Sequence, residues 1–168
     1  VEDGVRYVLE QGWVDEDKIA IYGGSHGGYA TLMGLIKTPD LYACGVDYVG
    51  VSNIETFFAS FPEYWKPLTE MVKAIWYDLN DPEEAKIARE VSPVYQVDKI
   101  TKPLFVVQGA NDPRVNINES DQIVEKLRAR GFEVPYMVKY NEGHGFYREE
   151  NSLDFYATML GFLSKYLK

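Results

Sequence analysis

The sequence predicts an α/β fold: a mostly parallel sheet of about four strands with helices on both faces. Three observations carry that expectation. Short apolar runs alternate with amphipathic stretches, the pattern of strands joined by crossover helices. The runs are apolar at nearly every position, as strands covered on both faces must be. Hydrophobic residues make up 46% of the 168-residue chain and aromatic residues 14%, enough to fill a core.

Taken in order, Val1, Val5, Val8 and Leu9 recur at helical spacing and stop at Gln11-Gly12, so the sequence opens inside a helix. Lys18 to Tyr22 reads as a buried strand. Ser25 to Lys37 reads as a helix, ended by Thr38-Pro39, and Cys44 to Val51 as a second strand. Residues 53 to 96 interleave Phe57, Phe58, Phe61, Tyr64, Trp65, Trp76 and Tyr77 with four prolines, which predicts short helices over the sheet, the last near Pro82 to Glu90. Pro103 to Gln108 is a third strand with proline at its mouth, where a missing donor costs least. Asn116 to Arg130 is an amphipathic helix, with Ile123, Val124 and Leu127 inward and Gly131 as its C-cap. Val134 to Tyr140 is a fourth strand. Glu149 to Leu167 is a closing helix with Leu153, Tyr156, Leu160 and Leu167 on one face.

Composition removes several function classes. A net charge of −9 and the absence of any basic stripe argue against nucleic-acid binding. No apolar run approaches the roughly 18 residues of a membrane span, and no signal-peptide pattern opens the chain. The single cysteine, Cys44, precedes an apolar run and reads as core; it makes no internal disulfide, which suits a cytoplasmic protein. A secreted or periplasmic protein remains consistent if a signal lies upstream of Val1. No metal spacing, phosphate loop or nucleotide fingerprint is present, so no cofactor is expected.

Gly23-Gly24-Ser25-His26-Gly27 fits G-x-S-x-G, placed between an apolar strand and a helix. A serine on so sharp a turn needs small neighbours, and the turn lifts Oγ clear of the sheet. It also sets the backbone N–H of His26 at a helix N-terminus, where developing negative charge is stabilised. A serine nucleophile needs a base, and the chain has two histidines. His26 adjoins Ser25, and its side chain leaves the turn in another direction. His144 lies in Asn141-Glu-Gly-His-Gly-Phe146, just past the fourth strand. The orienting carboxylate is Asp112, directly after the third strand, ahead of the weaker candidates Asp98 and Asp121. Ser, Asp and His then follow three strands in α/β-hydrolase order, at positions 25, 112 and 144.

With these motifs placed, the chain resembles the carboxyl-terminal part of a prolyl oligopeptidase family catalytic domain, along essentially all of its length. The resemblance rests on Gly-Gly-Ser25-His-Gly-Gly-Tyr29, Gly109-Ala-Asn-Asp112-Pro-Arg-Val115 and Glu142-Gly-His144-Gly-Phe146. The last two are most like the acylaminoacyl-peptidase and dipeptidyl-peptidase branches. His26 is a departure, since many relatives carry Tyr there.

The resemblance implies a serine peptidase that cleaves short or N-blocked peptides through an acyl-enzyme. Ser25, Asp112 and His144 would be nucleophile, orienting acid and base, and the His26 N–H an oxyanion donor. Val115, Phe57, Phe58, Tyr64 and Trp65 would line the pocket for the residue before the scissile bond. A carboxylesterase acting on small acyl esters is the alternative enzyme; a catalytically silent piece acting only in association is another. The resemblance also implies first strands and a β-propeller outside this sequence. The strand at 18–22 is then expected to be an unpaired edge, prone to self-association or to pairing with the missing N-terminal half.

Overall fold

The computed structural model describes residues 1–168. Its centre is a four-stranded, all-parallel sheet in the order β1 (Ala20–Gly24), β2 (Cys44–Tyr48), β3 (Leu104–Gly109), β4 (Tyr136–Lys139). Ile21 stands opposite Gly45, Val46 opposite Phe105, and Val107 opposite Met137. The crossovers carry the long helices α2 (His26–Lys37) and α6 (Asn118–Ala129), with α1 (Glu2–Glu10) before the sheet and α7 (Glu149–Tyr166) after it.

Side chains that alternate along β2 and β3 divide the core between two faces. Leu104 and Val106 pack with Leu32 and Leu35 of α2 and Ile123 and Leu127 of α6, beside Val94 and Ile100. Val46, Phe105 and Val107 face the other way and meet Phe155 of α7. All six residues of β3 are buried, which is why that strand reads as an unbroken apolar run. Cys44 is fully buried and burial pushes its thiol up to about 11, so it is core and not a nucleophile near neutrality.

Between β2 and β3 the proline- and aromatic-rich stretch forms α3 (Ile54–Ala59), a 3-10 segment (Glu63–Leu68), α4 (Thr69–Ile75) and α5 (Pro82–Glu90). Its aromatics gather on a small core of Val51, Phe57 and Val115.

Several boundaries differ from the sequence expectation, and β4 is shortened at both ends to Tyr136–Lys139. β1 starts two residues late, because Asp15 accepts the Asp17 N–H and caps a 3-10 turn over Glu16–Lys18. It also runs on through two glycines, which pair with Asp47 and Tyr48. β2 stops at Tyr48 and not at Val51, since Val49 takes φ +50° and turns the chain out of the sheet. On α7 the sheet-facing residue is Phe155, while Leu153, Tyr156 and Leu160 are more than half exposed.

Candidate active site

Ser25 joins β1 to α2 at φ 58° and ψ −119°, a conformation that a side-chain-bearing residue adopts only under constraint. The constraint is visible on both sides. Its N–H donates to the Tyr48 carbonyl at 2.9 Å, and its own carbonyl accepts from Gly28 and Tyr29 at 2.9 and 3.1 Å. Glycine is required at Gly23, where a Cβ would stand 2.2 Å from the Gly27 carbonyl oxygen. The Ser25 hydroxyl makes no capping bond to α2, leaving Oγ free for other chemistry. The His26 N–H lies in the first turn of α2, among groups with no intrahelical acceptor. Its imidazole turns away from Ser25, 5.3 Å edge-on from Trp76 and 5.7 Å from Tyr29.

Asp112 follows β3. Its Oδ1 accepts the N–H groups of Arg114 and Val115 at 2.8 and 2.9 Å, which fixes the carboxylate plane. Its Oδ2 lies 2.7 Å from His144 Nδ1, and the side chain has no solvent exposure against 16% for His144. A carboxylate on that nitrogen fixes the tautomer with the proton on Nδ1, so Nε2 presents a lone pair. Asp98 and Asp121, the weaker candidates, stand elsewhere: the Asp98 carbonyl accepts from Arg130 and Asp121 accepts the Tyr136 hydroxyl at 2.7 Å.

The acid and histidine loops are stitched together. The Asn111 N–H donates to the Glu142 carbonyl at 2.9 Å and its amide to the Tyr140 carbonyl at 2.6 Å. Gly109 lets them close, since a Cβ there would come within 2.1 Å of the Gly143 carbonyl oxygen. The buried Glu142 carboxylate gathers the Tyr147 and Arg148 N–H groups and the Asn151 amide, at 3.1, 2.9 and 2.8 Å. Burial opposes its charge, but those three donors outweigh it and hold the carboxyl below the ordinary value. No hydrogen bond joins Ser25 Oγ to His144; the two segments meet instead across Tyr48.

Of the residues expected to line a pocket, Val115 and Phe57 are buried together, and Phe58 and Trp65 pack against them. Tyr64 stands 57% exposed with its ring against the edge of Trp65. None of these five lines the cavity beside the elbow; four of them pack as an apolar cluster. That cavity, of about 330 Å³, is lined by His26, Tyr29, Ile54, Ile75, Trp76 and Tyr77. Tyr29 was legible as part of the elbow motif; which aromatics of the 53–77 stretch line this cavity was not.

The sequence profile of the prolyl oligopeptidase family matches residues 1–168. The chain belongs to the prolyl oligopeptidase family. Among family relatives, dipeptidyl aminopeptidase BIII of Pseudoxanthomonas mexicana is 46% identical over 165 residues, covering 98% of this chain and 24% of that protein. Dipeptidyl peptidase family member 6 of Caenorhabditis elegans is 37% identical over 166 residues, covering 98% and 22%. A solved puromycin-hydrolyzing peptidase of Mycobacterium tuberculosis superposes with a TM-score of 0.87 at 24% identity, over 98% of this chain and 24% of that one. The fold is that of an α/β-hydrolase, and the chain spans about a quarter of the length of these family relatives.

Proposed function

We propose that Ser25, Asp112 and His144 form the catalytic triad of a serine hydrolase that cleaves short or N-blocked peptides. The observation that carries this reading is the 2.7 Å bond from His144 Nδ1 to the buried Asp112, in loops stitched beside a strained serine elbow. His144 Nε2 takes the Ser25 hydroxyl proton as Oγ attacks the acyl carbon. The His26 N–H stabilises the resulting oxyanion. The tetrahedral adduct collapses as Nε2 gives its proton to the leaving amine, leaving an acyl-Ser25 ester. A water molecule, deprotonated at Nε2, then attacks that ester and returns the serine. Asp112 stays ionised throughout and steadies the imidazolium. The peptidase names of the relatives and the apolar wall beside the elbow support short peptides with a hydrophobic residue before the scissile bond.

The test is labelling with a fluorophosphonate probe, followed by intact mass and peptide mapping. We expect one adduct, on Ser25, and none in Ser25→Ala. A folded parent chain that takes no adduct would sink the reading for this chain.

A further inference from the structure

We infer that the hydroxyl of Tyr48 is a positioning group that holds the His144 loop in register with the Ser25 elbow. The inference rests on the triad reading above, and it concerns a residue that no motif marks. Tyr48 is the last residue of β2, between the two segments that must cooperate. Its carbonyl accepts the Ser25 N–H at 2.9 Å, and its hydroxyl accepts the N–H of Phe146, two residues beyond His144. One residue therefore holds both segments, the elbow through its backbone carbonyl and the histidine loop through its hydroxyl.

The Tyr48 ring has little freedom to swing. It stacks on Phe155 of α7 at 4.8 Å, and Phe146 meets it edge-on at 5.2 Å. Burial pushes its hydroxyl up to about 12, so the phenol stays neutral across the working range. The loop's other anchors flank His144: the Glu142 carboxylate takes the Tyr147 and Arg148 N–H groups, and the Glu142 carbonyl takes the Asn111 N–H. Gly145 takes φ +113°, a conformation suited to glycine, and the Ser152 hydroxyl donates to the Phe146 carbonyl at 3.0 Å. Asp112 fixes one edge of the imidazole, but a hydrogen bond to Nδ1 alone leaves the ring able to pivot about that contact. Holding Phe146 from the Ser25 side fixes where Nε2 points.

Tyr48→Phe removes the hydroxyl and keeps the ring packing. Two readouts decide the matter. One is the second-order rate of fluorophosphonate labelling at Ser25. The other is the NMR titration of the imidazoles, which two histidines make simple to assign. We expect labelling to slow about tenfold or more, as misplacement of a reacting pair does. The His144 midpoint should move, the His26 midpoint should stay, and the melting temperature should fall by a few degrees at most. Unchanged labelling, or slowed labelling with an unmoved His144, overturns the inference. If the parent itself takes no label, the hydrolase reading fails first. The His144 midpoint then decides alone: moved in the variant, the hydroxyl still places the loop; unmoved, it does not.

Discussion

Asp47 stands in β2 with its carboxyl sealed from solvent and no hydrogen-bond partner of normal geometry. It is closed in by the elbow helix and the turn after β2: a Cβ on Gly28 or Gly50 would come within 2.3 or 2.0 Å of its Oδ1. Burial pushes the carboxyl from 3.8 to about 7; the nearby Gly50 N–H opposes the shift slightly and Glu119 adds to it. A raised acid holds its proton more tightly when folded. The stability this contributes is whole below 3.8 and is lost as pH rises through about 7. A shift of that size corresponds to something on the order of 4 kcal/mol. Asp47→Asn should therefore flatten the stability profile between those limits and be more stable than the parent at pH 8. Urea titrations across that range read this directly, and an unchanged slope would remove Asp47 as its source.

Among elements, the contact that places the pocket wall is between α3 and α6. Glu119 in the first turn of α6 accepts the Ser52 and Asn53 N–H groups at 3.0 and 2.8 Å through one oxygen. Its other oxygen takes the Thr56 hydroxyl and the Gln122 amide. Because α6 begins just beyond Asp112, this carboxylate ties the acid loop to the helix bearing Phe57 and Phe58. Glu119→Ala strands two buried backbone donors, each worth about 1–3 kcal/mol. The expected loss is a few kcal/mol by denaturant unfolding; a loss under half a kilocalorie would mean water replaces the carboxylate. Sequence alone placed α6, because its apolar spacing is clear, but it gave no sign of this bond. A glutamate in a helix's first turn ordinarily faces solvent, and only the approach of α3 buries this one.

At the scale of the whole molecule, β1 has one neighbour in the sheet and a free edge. Tyr22 on that strand is 47% exposed, its ring 6.3 Å from that of Phe155, and Leu153, Tyr156 and Leu160 of α7 are more exposed still. We propose that in the isolated chain a second copy covers this edge and helix face. The sedimentation coefficient of the isolated chain should then rise with concentration. A constant monomer value at high concentration would argue that the edge is benign. What the sequence determined by itself was local or periodic. Apolar runs set four strands, glycines around Ser25 set the elbow, and the order Ser, Asp, His after the first, third and fourth strands pointed to the candidate site. The tertiary structure alone decided what depends on distant residues meeting. It ended β2 at a left-handed Val49, bonded Asp112 to His144, buried Asp47 and Glu119, and set Tyr48 between the elbow and the histidine loop. Periodicity reports which way a side chain faces, whereas these contacts depend on which atoms the packed sheet brings within bonding range.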